Sequence, residues 1–91
     1  MTNEQPHEAA ASIDDDVDML LDLTGLKCPL PVLKARRQLG LMRPGMVLVV
    51  TADDPAAPLD FDHFCATGDH QLADSTAKDG IFTFRMIVGP G

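Results

Sequence analysis

Residues 19–31, Met19-Leu20-Leu21-Asp22-Leu23-Thr24-Gly25-Leu26-Lys27-Cys28-Pro29-Leu30-Pro31, decide how the chain folds. Met19 to Leu23 is a short apolar run closed by Thr24 and Gly25, the pattern of a strand running into its turn. Pro29 and Pro31 fit a helix only in its first turn, where the amide hydrogens they lack would have no intrahelical partner anyway. A helix over about Pro29 to Leu41 is predicted, with Val32, Leu33, Leu39 and Met42 on its apolar face and Lys34, Arg36 and Arg37 turned outward.

Working outward, Pro44-Gly45 ends that helix, and the β-branched run Met46 to Thr51 makes a second strand. A strand–helix–strand unit of this length favours a parallel pair with a right-handed crossover. Asp53-Asp54-Pro55 is a helix-start signal, because a carboxylate accepts free first-turn amides and proline has none to satisfy. Pro58 delays regular helix, and Phe61, Phe64, Cys65 and Gly68 then fall at i, i+3, i+4 and i+7 on one face of a helix that runs to about Thr67. His70 to Thr76 and Ile81 to Val88 are strand-like around Lys78-Asp79-Gly80, whose glycine permits the positive φ of a tight turn. Phe82, Phe84, Met86 and Val88 alternate, and should cover the inner faces of the helices. The order βαβαββ predicts a two-layer α/β (α+β) sandwich, a four-stranded mixed sheet with two helices on one face.

Composition sets limits on what this fold can do. The 91 residues carry 7 Lys+Arg against 14 Asp+Glu, a formal charge of −7, and 45% are hydrophobic. A chain this short buries roughly 60% of its unfolded surface, which leaves no room for a second core or an enclosed chamber. Chemistry is expected at the surface. Half of the acids (Glu4, Glu8, Asp14, Asp15, Asp16, Asp18 and Asp22) precede the first base, so residues 1–17 are expected to be a flexible acidic leader to a single domain over residues 18–91 that is neutral overall. Five bases, Lys27, Lys34, Arg36, Arg37 and Arg43, fall close together and form either a solvated helix face or a docking patch. With 4% aromatics and neither Trp nor Tyr, a base-stacking nucleic-acid platform is poorly supported. No apolar run approaches the roughly 20 residues that span a bilayer, and no secretion signal opens the chain; a cytoplasmic address is the expectation.

Two cysteines in such a compartment are read singly, not as a disulfide. Cys65 lies on an apolar helix face and reads as a packed thiol. Cys28 follows the turn Gly25-Leu26-Lys27 and precedes Pro29, which puts its sulfur at a helix N-terminus. There the helix dipole and Lys27 should favour thiolate and persulfide, while Pro29 and Pro31 hold the sulfur in the open. A capping cysteine between helix-starting prolines is the bland alternative. Cys28, Cys65, His63 and His70 lack metal-ligand spacing, so neither a metal site nor a cofactor is expected. His70 reads as a capping or strand-entry residue, and Asp53 and Asp54 first as caps, then as an acidic edge for a partner.

The residues Leu21-Asp22, Gly25-Leu26-Lys27-Cys28-Pro29-Leu30-Pro31, Pro44-Gly45, Ala52-Asp53-Asp54-Pro55-Ala56, Asp60, Phe64-Cys65, His70 and Leu72 resemble the TusA/SirA family of small sulfur carriers, over roughly Asp18 to Val88. Cys-Pro-x-Pro after Gly-Leu is the specific element. The resemblance implies a sulfurtransferase-type carrier whose catalytic Cys28 accepts sulfane sulfur as a persulfide from a cysteine desulfurase or rhodanese-like donor. It relays that sulfur to an acceptor protein in tRNA thiolation, molybdenum-cofactor synthesis or sulfur oxidation. Gly25, Leu26, Lys27, Pro29 and Pro31 would position the sulfur, and Lys34, Arg36, Arg37, Asp53 and Asp54 are the docking candidates. Leu30 stands where an acidic residue is usual and Leu59 where a basic one is common. Asp62-His63 replaces a Pro-containing pair, and Met86-Ile87-Val88 lacks the expected bases, so the partner surface should differ and direct tRNA contact is not implied. The same cysteine in a redox-regulatory or interaction module is the alternative from another class, and a selenium carrier would use the same thiolate.

Overall fold

The structure is a computed structural model that describes residues 17–90; the expected leader, apart from Val17, lies outside the described residues. Strands β1 (Met19–Asp22), β2 (Val47–Ala52), β3 (Gln71–Lys78) and β4 (Ile81–Ile87) alternate with helices α1 (Leu30–Gly40) and α2 (Ala57–Thr67) in the order βαβαββ. The sheet runs β1-β2-β4-β3. β1 pairs parallel with β2, Leu21 opposite Val50, as a helical connection between them demands. β4 fills the centre, antiparallel to both β2 and β3. The β3–β4 turn places Asp79 at φ 53° and Gly80 at φ 82°, so both central residues take the left-handed conformation of a two-residue hairpin. A one-residue irregularity between Leu72 and Asp74 bends β3, a mostly polar edge strand.

The period-two pattern sorts the sheet. Leu48, Val50 and Ala52 of β2 and Phe84 and Met86 of β4, with Val88 just beyond it, are buried against both helices. Thr51, Thr83 and Arg85 take the opposite face. At the centre the rings of Phe61 on α2 and Phe84 on β4 stack with centroids 4.5 Å apart. α1 packs through Pro31, Ala35 and Leu39, spaced i, i+4 and i+8. Leu33, expected inward, is 49% exposed. Two small residues let the helix sit close to the sheet, and this turns the Leu33 position toward solvent. Pro31 therefore anchors the first turn in the core, where the sequence suggested that it only props the turn open.

Phe61 is fully buried, so truncation leaves a cavity at the joint of helix and sheet. Phe61→Ala should lower unfolding free energy by about 3–5 kcal/mol, measured by urea denaturation; a loss under about 1 kcal/mol would contradict this core.

Candidate functional site

The loop between β1 and α1 is fixed residue by residue. Asp22 Oδ1 accepts the Thr24 N–H (3.1 Å), the Thr24 hydroxyl (2.8 Å) and the Thr51 hydroxyl (2.9 Å). These donors, the Thr24 backbone first, hold the Asp22 carboxyl below its usual range. Gly25 turns at φ 87° and donates its N–H to Asp53 Oδ1 at 2.9 Å. Cys28 donates its N–H to Asp54 Oδ2 at 2.6 Å, and Ala56 N–H reaches Asp54 Oδ1 at 3.3 Å. The Asp-Asp pair thus ties the cysteine loop to the start of α2. Asp54 is 8% exposed, and its oxygens are taken up by backbone amides inside the fold. Asp53 is half-buried on the same duty.

Cys28 is exposed, with its sulfur at the mouth of a groove of about 490 Å³ between the helices. Pro29 and Val32 form one wall, and Leu59, Asp60, His63, Phe64 and Thr67 of α2 form the other. A second depression of about 510 Å³ shares Val32, Phe64 and Thr67 and continues past Leu33 to Arg36 and His70. Arg36 thus borders the seam, whereas Lys34 and Arg37 are exposed on α1 away from it. His70 accepts the Gly89 N–H on Nδ1 at 3.0 Å and stacks on Phe64, with centroids 5.9 Å apart. Cys65 is half-buried against the core, and the loss of water, with the nearby Asp62 charge, pushes its thiol up.

The electrostatics of Cys28 reverse the expectation from sequence. A hydrogen bond to the Asp60 carboxylate, then partial desolvation and the charges of Asp60 and Asp54, push the Cys28 thiol above its ordinary value. The helix tip offers little to counter them. Pro29 and Pro31 have no amide hydrogen, and the Leu30 N–H is already given to the Lys27 carbonyl at 2.8 Å. Asp60 is the residue whose role the sequence reading missed. Asp60, His63, Phe64 and Thr67 share the i, i+3, i+4, i+7 spacing of a helix face, one residue out of phase with the Phe61-Phe64-Cys65 stripe that drew attention as core.

Against known proteins, the model of the family described as sulfurtransferase TusA matches residues 19–88. The chain belongs to the sulfurtransferase TusA family. It is 44% identical over 71 residues to the sulfur carrier protein TusA of Allochromatium vinosum, covering 78% of this chain and 93% of that one. Similarity to a protein of Neisseria meningitidis serogroup A, named as a candidate sulfur carrier, is 52% over 63 residues, covering 69% and 85% of the two chains. The crystal structure of a SirA-like protein from Desulfitobacterium hafniense superposes with a TM-score of 0.69 at 23% identity, over 78% of this chain and 97% of that one; it shows the common fold. Among the described residues no cluster of three or more His, Cys, Asp or Glu side chains could hold a metal, and no helix is long and apolar enough to cross a membrane.

Two measurements check this geometry. Alkylation of Cys28 by iodoacetamide, followed by peptide mass, should show a pH midpoint above the ordinary thiol value of about 8.5; a midpoint below neutrality would restore the helix-tip thiolate. Asp54→Ala should cost about 1–3 kcal/mol of unfolding free energy, because it orphans two backbone donors at the loop junction; an unchanged urea midpoint would remove the tie.

Proposed function

We propose that Cys28 is the sulfur-bearing residue of this TusA-family chain and carries a sulfane sulfur atom between proteins as a persulfide. The observation that carries the reading is an exposed cysteine at the mouth of an open groove, with its backbone held by Asp54, in a chain of a sulfurtransferase family. The donor is a cysteine desulfurase or a rhodanese-like protein, and the acceptor a protein thiol of a sulfur-using pathway in the cytoplasm. Cys28 sulfur attacks the outer sulfur of the donor persulfide, the donor thiolate leaves, and the same exchange run against an acceptor unloads it. Because the groove lies on the surface, the attacking and leaving sulfurs can both approach without any opening of the fold. Gly25, Leu26, Pro29 and Pro31 shape the loop, Lys27 adds positive charge next to the cysteine, Arg36 borders the seam, and Lys34 and Arg37 offer charge elsewhere on α1. A redox-sensing role is less well supported, since sensor cysteines are easily ionised and this one resists ionisation.

Incubation with a cysteine desulfurase and cysteine, followed by intact mass, should add one sulfur atom to the wild type and to Cys65→Ser but none to Cys28→Ser. Retention of the adduct by Cys28→Ser would move the carrier site elsewhere.

A further inference from the structure

Of the groups around the sulfur, one carboxylate is placed to act on it directly. Asp60 lies in the first turn of α2 and lines the same groove as Cys28, and its carboxylate is the main cause of the raised Cys28 thiol. Asp54 also lies near the sulfur, but its two oxygens are engaged by the amides of Cys28 and Ala56. Lys27 has its side chain exposed on the preceding loop residue, and His63 lines the groove one turn beyond Asp60.

We propose that Asp60 is the proton carrier of sulfur exchange at Cys28: its carboxylate takes the proton from Cys28 Sγ as that atom attacks, and passes it to the donor's inner sulfur as it leaves. The proposal rests on the persulfide reading above and assigns a catalytic residue to it. Starting from Cys28–SH and a donor R–S–S⁻, a bond forms between Cys28 Sγ and the outer sulfur while the donor's S–S bond breaks. The electron pair of the broken bond goes to the inner sulfur, which takes the proton from Asp60 and leaves as R–SH. Cys28–S–S⁻ remains, with atoms and charge balanced and no external oxidant or reductant. Unloading runs the same path backwards: the acceptor thiol gives its proton to Asp60, and Asp60 gives it to the departing Cys28 sulfur.

In the free protein the groove is open to water, and the carboxylate of Asp60 favours the proton on the Cys28 sulfur. The resting thiol is thereby slow toward oxidants and small electrophiles. A donor surface seated over the groove removes water from the carboxylate and raises its affinity for a proton, so transfer from the sulfur becomes easier just when a persulfide is at hand.

The test measures two rates on the full chain: sulfur loading from a cysteine desulfurase with cysteine, and alkylation of Cys28 by iodoacetamide at neutral pH. Asp60→Asn should alkylate several-fold faster than wild type, having lost the charge that holds the proton, yet load sulfur at least about tenfold more slowly, having lost the proton carrier. Asp60→Glu should restore most of the loading rate, and Asp62→Asn, an exposed acid of α2 outside the groove lining, should load like wild type. A merely structural role would slow both reactions together, and thermal melts of the variants report any misfolding. If Asp60→Asn loads as fast as wild type, or if Asp62→Asn carries the same loading defect, the assignment is overturned while the persulfide reading stands. If the wild type itself acquires no sulfur from any donor, the persulfide reading falls first and the assignment with it.

Discussion

One buried carboxylate joins the parts of this molecule that matter for its chemistry. Asp54 sits after β2, yet its side chain reaches back 26 residues to the amide of Cys28 while its other oxygen takes the amide of Ala56. A carboxylate this buried is tolerated because both oxygens accept charge-assisted hydrogen bonds from donors that would otherwise lack partners. The result is a pin through the entrances of both helices. Their first turns are brought side by side, the groove opens where they meet, and the sulfur stands at its mouth. Asp53 repeats the arrangement one residue earlier, on Gly25, so the turn and the cysteine are held at two successive points.

The pin also fixes the charge around the sulfur. Two acids, Asp54 and Asp60, come near Cys28, and prolines strip the helix tip of most of the amides that would oppose them. This is the opposite of the environment that makes a cysteine reactive on its own. For a carrier it has a logic. A thiolate of higher proton affinity is intrinsically the stronger nucleophile, though less of it is present, so its reactivity can be governed by when the proton is removed. On the proposed persulfide reading, sulfur must also leave again, and a site that bound the anionic persulfide tightly would stop the relay at its first step.

The fold was largely readable because its elements are announced by strong local signals. The apolar run before Gly25, the paired prolines, Pro44-Gly45 and Asp79-Gly80 each have one cheap conformation, and the structure adopts it. What the sequence misjudged were matters decided by tertiary neighbours. Leu33 looked inward by hydropathy, but Pro31, Ala35 and Leu39 give a closer approach to the sheet. Asp54 looked like a surface cap, since nothing local shows that its second oxygen meets a loop 26 residues away. Cys28 is exposed beside a helix start, as its place in the sequence suggested, but its thiol is pushed up where the helix tip and Lys27 were expected to push it down. Residue spacing locates a helix tip; it does not say which side chain of another helix will stand over it, and Asp60 is that side chain.

The surroundings of the groove bear on how so small a chain controls a reactive atom. Leu33 and Leu59 are large apolar side chains left 49% and 75% exposed along the seam between the helices. In isolation such surface is unfavourable, and its placement beside Cys28 is what a surface awaiting a protein partner requires. Burying it would expel water from the groove that Cys28 and Asp60 line together, in a domain too small to exclude water by itself. Proton affinity at the Cys28 thiol depends on that water. The chemical state of the sulfur is therefore set jointly, by a carboxylate the carrier supplies and by a dry surface that it does not.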